Sequence, residues 1–388
     1  IFLNLDIDMT SKIPKIFVAA TRQHVGKTTV SLAIISGLKK RFNNVGFIKP
    51  VGQQHVTVNG IRVDKDVQLM KEFFDLSCDY ENMSPIIIPQ GYTKKYIDGT
   101  ITQDQQILTL EQSFQNIADS SDCIVLEGTG HTGVGSVVQM NNAQVAARLG
   151  ADLVMVCNGG LGSAFDELEL NRLMCEREGV RLKGVILNKV RPDKLSMVEE
   201  YFTKLLKRWT DVPLLACIPD ERFLGYPNLG DIERVFKTKL MSGEHLRESH
   251  YDISQMVMVA TDLNVFAEKL HNARDAGMIN PLLVTHCTRT DIILGFLAHY
   301  QKESIRNQTF KGALILSGTP ERGYSPAEYV KSIGAAYKAP LLFAGVPTYA
   351  VMDQLRGFTP KLHIDDKHRV QHAIDHYEPY IDFDKLLA

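Results

Sequence analysis

The sequence predicts an α/β protein: a parallel sheet with helices on both faces, followed by a second, smaller α/β domain. Three observations carry this. Short apolar runs alternate with longer amphipathic ones through residues 15–219. The runs are continuously apolar rather than apolar at every second residue, as strands buried on both faces are. The alternation lapses in a charged stretch near 220–252 and then resumes. Strand–helix alternation is the signature of parallel strands joined by helical crossovers.

Taken in order, the expected strands of the first domain are 15–20 (KIFVAA), 45–50 (VGFIKP), 123–128 (CIVLEG), 152–157 (DLVMVC), 184–189 (GVILNK) and 213–219 (PLLACIP). Gly, Pro or polar residues bound each one, and several are rich in Val and Ile. Residues 28–40 carry apolar side chains at 30, 32, 34, 35 and 38, close to helical spacing. Residues 141–150 end in Gly150, suited to the left-handed position after a helix. The stretch 220–252 reads as a linker with one helix. Strands at 255–260, 281–286, 312–318 and 340–345 then form a second series. The expected boundaries are 12–222, a linker at 223–250, and 251–388.

Composition narrows the function. At 44% hydrophobic and 23% charged the chain has ample material for folded cores, which excludes a disordered chain. Lys+Arg total 43 against 45 Asp+Glu, so bulk charge gives no support to nucleic-acid binding. No apolar run reaches the length of a membrane span. The first residues lack the basic region of a signal peptide. Met9 is a candidate natural start, with residues 1–8 as leftover or alternative sequence. Cysteines at 78, 123, 157, 175, 217 and 287 form no CxxC pair, and Cys123 and Cys157 lie in apolar runs. A reducing, cytoplasmic setting is expected.

The most informative stretch is IFVAATRQHVGKTTVSLAI, residues 16–34. An apolar strand enters a loop, then Gly26-Lys27-Thr28-Thr29, then a helix. This is the layout of a P-loop, in which backbone N–H groups and a helix N-terminus cradle phosphates. Lys27 would reach the β/γ-phosphates and the Thr28 hydroxyl would ligate Mg2+. The strict GxxxxGK[ST] spacing fails, because its first glycine falls at Thr21. Glu127, near the end of its strand and before a Gly-rich turn, matches the acid that holds Mg2+ beside such loops. Asp66 is a further metal candidate, ahead of Asp64. Asn188-Lys189 resembles the guanine-reading Asn-Lys-x-Asp motif, but Arg191 stands where the Asp is needed. GTP is therefore disfavoured, while Asn188 remains suited to an adenine edge.

Residues 15–220 resemble the dethiobiotin synthetase-like branch of P-loop proteins. The likeness rests on Ala20–Thr28, Phe47–Val51, Asp66, Glu127–Gly130, Gly184–Asn188 and Ile218-Pro219. It is strongest to the N-terminal part of long phosphate acetyltransferases, where such a domain precedes a DRTGG domain. Residues 250–388 resemble that DRTGG domain through Thr288–Leu294, Gly312–Gly318 and Val346–Tyr349. Departures are present: Gly-Asp-Arg-Thr reads Cys287-Thr288-Arg289-Thr290, and Thr-Gly-Gly reads Ser317-Gly318-Thr319. The acetyltransferase domain of those enzymes has no counterpart here, so acetyl transfer is not expected.

The resemblance implies roles. Thr21, His24, Val25, Gly26, Lys27, Thr28, Thr29 and Asn188 would bind ATP. Thr28, Asp66 and Glu127 would hold Mg2+. Lys27 and Lys49 would be the catalytic residues of a ligase, with Lys49 facing a carbamate. Gly128, Thr129 and Gly130 would line the substrate side, where Arg22, Gln53 and His131 are bulkier and more basic than a diamino fatty acid needs and suit a smaller or more anionic ligand. A homo-oligomer is implied, because related synthetases build their site at a dimer interface. Two function classes follow: an ATP-dependent ligase activating a small carboxylate or carbamate, and a nucleotide-responsive regulatory or assembly module acting on a protein partner. We take the second for the whole chain. Elsewhere, His368, His372 and His376 share a helix face at i, i+4, i+8. Two such histidines at i, i+4 can bind zinc; the alternative, which we take, is a solvated helix face.

Overall fold

The structure, a computed structural model, describes residues 13–275, 280–305 and 310–388. The expected start at Met9 and residues 1–8 lie outside the described residues. The chain forms two compact units. One runs to Glu221 and resumes at Leu362–Ala388; the other is Arg222–Lys361.

The first unit is built on a six-stranded sheet. Its strands are β1 (Lys15–Ala20), β2 (Val45–Ile48), β5 (Cys123–His131), β6 (Asp152–Asn158), β7 (Leu182–Val190) and β8 (Leu214–Pro219). A hairpin, β3 (His55–Val58) and β4 (Ile61–Asp64), stands apart from it. All pairings in the main sheet are parallel, in the order β8-β7-β6-β1-β5-β2. Every residue of β1 and β2 is buried, so both faces of the sheet are covered. The helices are α1 (Lys27–Lys39), α2 (Lys65–Phe74), α3 (Gln103–Ala118), α4 (Asn142–Leu149), α5 (Gly162–Arg177) and α6 (Leu195–Leu206). From β1 the chain crosses over β5 to reach β2; from β5 it crosses back over β1 to reach β6. That reversal opens a crevice at the C-terminal ends of β1 and β5, where α/β sheets place their ligands.

Two sequence expectations need correction. The stretch 223–250 is not a linker. It holds α7 (Leu229–Phe236) and β9 (Leu240–Ser242), and Leu229, Ile232 and Leu240 are buried in the second unit's core. Its charges pair locally, with Arg247 Nε donating to Glu233 Oε2 at 2.8 Å. Nor does the second unit run to 388. Helices α12 (Lys367–Tyr377) and α13 (Phe383–Leu387) belong to the first unit, where α12 packs against α1. A local apolar pattern shows that a helix has a buried face, not which distant surface it buries.

The second unit has a five-stranded sheet ordered β9-β13-β12-β11-β10. Strands β10 (Val257–Met258), β11 (Leu282–His286), β12 (Ala313–Ser317) and β13 (Leu341–Phe343) are parallel, and β9 is antiparallel to β13. Helices α8 (Leu263–Asp275), α9 (Thr290–Ile305), α10 (Glu328–Tyr337) and α11 (Thr348–Gly357) complete it. Three segments noted in the sequence meet here: Cys287 N donates to Ser317 O, Gly318 N to Val346 O, and the hydroxyls of Ser317 and Thr348 lie 2.6 Å apart.

Candidate functional site

The loop 21–26 leaves β1 at the crevice and delivers the chain into α1. Gly26 takes φ +103°, a left-handed conformation that glycine tolerates best. A side chain there would also lack room, since a Cβ would stand 2.4 Å from Asn188 Nδ2. Gly26 caps α1 without a side-chain hydrogen bond, so the helix begins with open backbone N–H groups. Val25 anchors the loop and is fully buried. The Thr21 hydroxyl donates to Glu167 Oε2 at 3.0 Å, and Thr21 O accepts from Asn171 Nδ2 at 3.2 Å. His24 is exposed at φ +63°, and its carbonyl accepts from Lys189 Nζ at 2.9 Å.

Three chemical groups converge at the start of α1. Lys27 Nζ donates to Gly130 O at 2.9 Å. Thr28 Oγ1 donates to Glu127 Oε1 at 3.0 Å. Glu127 has no exposed surface, and its Oε2 has no hydrogen-bond partner among the described residues. Such an orphaned, buried carboxylate oxygen is costly unless a ligand completes it. Burial pushes the Glu127 carboxyl up to about 7, against the pull of the Lys49 charge. Burial also lowers Lys27, with Glu127 opposing.

The turn after Glu127 is braced by a residue the sequence reading did not pick. Asn142, at the first position of α4, accepts from Thr129 N at 3.1 Å and donates to Thr129 O and His131 O at 2.9 and 2.8 Å. A bulge between Val18 and Ala20 in the β1–β5 register, together with Gly130 at φ +64°, bends the strand end over Lys27. The Asn141–Gln144 capping box was the legible part of this brace.

Lys49, the lysine expected to face a carbamate, lies next to Glu127. Its ammonium sits among three carboxylates: Asp66, which it contacts closely, Asp64 Oδ1 at 3.2 Å and Glu127 Oε1 at 3.5 Å. It is 6% exposed. Burial alone would lower its pKa, but Asp66, Glu127 and Asp64 together hold it above the ordinary lysine range. Asp64 is fixed as the cap of α2, accepting from Asp66 N at 3.0 Å; burial raises its carboxyl, with Lys49 opposing. Asp66 is thus a partner of Lys49, and its charge also acts on Lys27 and Glu127. Asn188 is fully buried and donates to Val25 O at 2.7 Å, so its amide supports the loop.

The remaining candidates scatter. Gly128 and Gly130 are buried in the braced turn, and Thr129 donates to Val51 O. Gln53 and His131 are exposed, with His131 Nδ1 accepting from Gly133 N at 3.2 Å. Thr29 is half-buried one turn into α1. Arg22 is exposed and lies 3.5 Å from Glu167. It lines a cleft of about 250 Å³ with Asn158, Ser163 and Lys189, beside the loop rather than over Glu127. Of the histidine trio, His376 Nε2 lies 3.0 Å from Pro219 O, and His372 and His376 both approach Glu221. Among the described residues no group of three or more His, Cys, Asp or Glu is placed to hold a metal ion. All six cysteines are buried and free. No helix of the described residues is long and apolar enough to cross a membrane.

Mg2+ fits what is present. Magnesium is held by one or two protein oxygens, with phosphates and water completing the octahedron. Thr28 Oγ1 and the orphaned Glu127 Oε2 supply such oxygens at the helix start.

Comparison with known proteins bears on this geometry. The chain is 25% identical over 390 residues to a phosphate acetyltransferase of Synechocystis sp., covering 98% of this chain and 52% of that protein. It is 22% identical over 225 residues to an ATP-dependent dethiobiotin synthetase BioD of Clostridium perfringens, covering 57% of this chain and 96% of that one. The chain spans about half the length of the phosphate acetyltransferases it matches first. Among solved structures, the MinC:MinD cell division complex of Aquifex aeolicus aligns at 16% identity and TM-score 0.34, over 54% of this chain and 83% of that one. A plasmid partition protein from Borrelia burgdorferi aligns at 13% and TM-score 0.34, over 54% and 91%. The family model described as AAA domain matches residues 14–228, the loop, Glu127 and Asn188 included. That match covers more than half of the chain, which therefore belongs to the AAA domain family and carries a P-loop nucleotide-binding domain related to phosphate acetyltransferase and dethiobiotin synthetase.

Proposed function

We propose that the first unit binds ATP with Mg2+ and that the chain works as a nucleotide-responsive regulatory or assembly module, similar to the N-terminal region of phosphate acetyltransferases. The observation that carries this is the convergence of Lys27, Thr28 and the orphaned Glu127 at an open helix start. The triphosphate would lie along the loop amides, with Lys27 released from Gly130 O to the β/γ-phosphates. Thr28 and Glu127 would hold Mg2+, which supplies charge neutralisation when bound.

The surroundings of Lys49 favour binding over ligation. A ligase of the dethiobiotin synthetase type needs a cation free to meet an anionic co-substrate. Here three carboxylates already surround that cation. The deciding experiment is titration calorimetry of ATP, ADP and GTP with Mg2+, followed by phosphate release from the tightest triphosphate. Mg2+-dependent ATP binding, weaker GTP binding and no steady release are expected. Steady release stimulated by a small amine with bicarbonate, or by a carboxylate, would replace this reading with the ligase. No ATP binding would overturn both. A homo-oligomer is expected in the same preparation; a monomer by light scattering, with and without ATP, would contradict it.

A further inference from the structure

The segment that returns from the second unit places its contacts on the phosphate loop's own supports. Ser36 Oγ, on α1, donates to Glu378 Oε2 at 2.7 Å, and Lys40 pairs with the same carboxylate. The Phe383 ring fills the space over Gly37, where a Cβ would stand 2.0 Å from it, and Arg41 lies over that ring at 4.3 Å. Asp382 N donates to Leu215 O at 2.9 Å, and His376 Nε2 meets Pro219 O, tying the segment to β8. Direct contacts therefore run from Glu378 and Phe383 into α1, the helix that the loop begins, and from His376 and Asp382 into β8.

We propose that residues 362–388 are a positioning strap for the phosphate loop, so that nucleotide binding at the loop and docking of the strap form one linked equilibrium. This rests on the nucleotide-binding reading above. Anything that stabilises the loop in its binding geometry must, by linkage, stabilise the strap on α1 to the same extent. Glu378 and Phe383 are positioning residues: they act on α1 through Ser36, Lys40 and Gly37.

Hydrogen exchange by mass spectrometry on the full chain, with and without saturating ATP and Mg2+, tests it. Slowed exchange is expected in both 21–30 and 367–387. Protection of the loop alone overturns the proposal and leaves nucleotide binding standing. Protection of neither overturns both. Glu378→Gln removes the charge that holds Ser36 and Lys40 and keeps the shape of the side chain. It should weaken ATP binding about five- to tenfold, as one hydrogen bond is worth, and should uncouple strap protection from ATP. Unchanged affinity in Glu378→Gln also overturns the proposal. If that variant fails to fold, Ser36→Ala, which removes the same hydrogen bond from the α1 side, is read the same way.

Discussion

Glu127→Gln separates the electrostatics of the site from its shape. In the wild type, burial raises the carboxyl from an ordinary 4.5 to about 7. At about 1.4 kcal/mol per pH unit, ionising Glu127 in the folded unit is about 3 kcal/mol harder than in the unfolded chain. The sign follows from proton counting. Between pH 4.5 and 7 the folded state holds this proton and the unfolded state has lost it. Stability contributed by the group is therefore full below pH 4.5 and is lost as pH rises through about 7. Glutamine, neutral and nearly isosteric, carries no such dependence. Without nucleotide and with chelator present, the first unit of the wild type should lose about 3 kcal/mol relative to Glu127→Gln between pH 4.5 and pH 8. The chain's single tryptophan is Trp209, in the first unit, so urea unfolding followed by its fluorescence reports on that unit alone. Parallel stability–pH curves for the two proteins would refute the argument that Glu127 is a desolvated, incompletely compensated carboxylate. Adding Mg2+ and ATP should flatten the wild-type curve and leave that of the variant nearly unchanged.

Other perturbations bear on neighbouring parts. Lys27→Ala should abolish ATP binding with little change in the Trp209 unfolding transition; retained affinity by calorimetry would remove the loop assignment. Gly26→Ala must fit a Cβ 2.4 Å from Asn188 Nδ2 at φ +103°. Strain and overpacking should cost about 2–4 kcal/mol of first-unit stability and break the Asn188–Val25 hydrogen bond; a variant within about 0.5 kcal/mol of wild type would contradict it. Burial raises all six thiols, Cys123, Cys175 and Cys217 to about 12. A thiol reagent at pH 8 should therefore react with the native chain only as fast as it opens, and rapid modification before any loss of structure would sink that.

The first unit was readable where chemistry is local. Continuous apolar runs bounded by Gly or polar residues marked β1, β5 and β6 to within three residues, and Gly26-Lys27-Thr28 marked the start of α1. What stayed hidden depends on distant partners. Lys49 reads as a free cation until the hairpin β3–β4 carries Asp64, and α2 carries Asp66, against it. Asn188 gives no sign in the sequence that its amide holds Val25 O, 163 residues away. The stretch 223–250 reads as a connector because it is charged and carries little strand signal, yet Leu229, Ile232 and Leu240 complete a core assembled from strands as much as 113 residues further on (Leu229 to Leu342).

The return of residues 362–388 also sets a timetable. Ser36 and Glu378 are 342 residues apart in the chain. At about 5–20 residues synthesised per second, roughly 20–70 s separate the emergence of α1 from that of its partner. During that interval the inserted unit, contiguous from Arg222 to Lys361, can close on itself, while the older unit cannot. Of the two units, the one whose synthesis begins first is thus completed second, and α1 waits for residues 362–388 before its far half is covered.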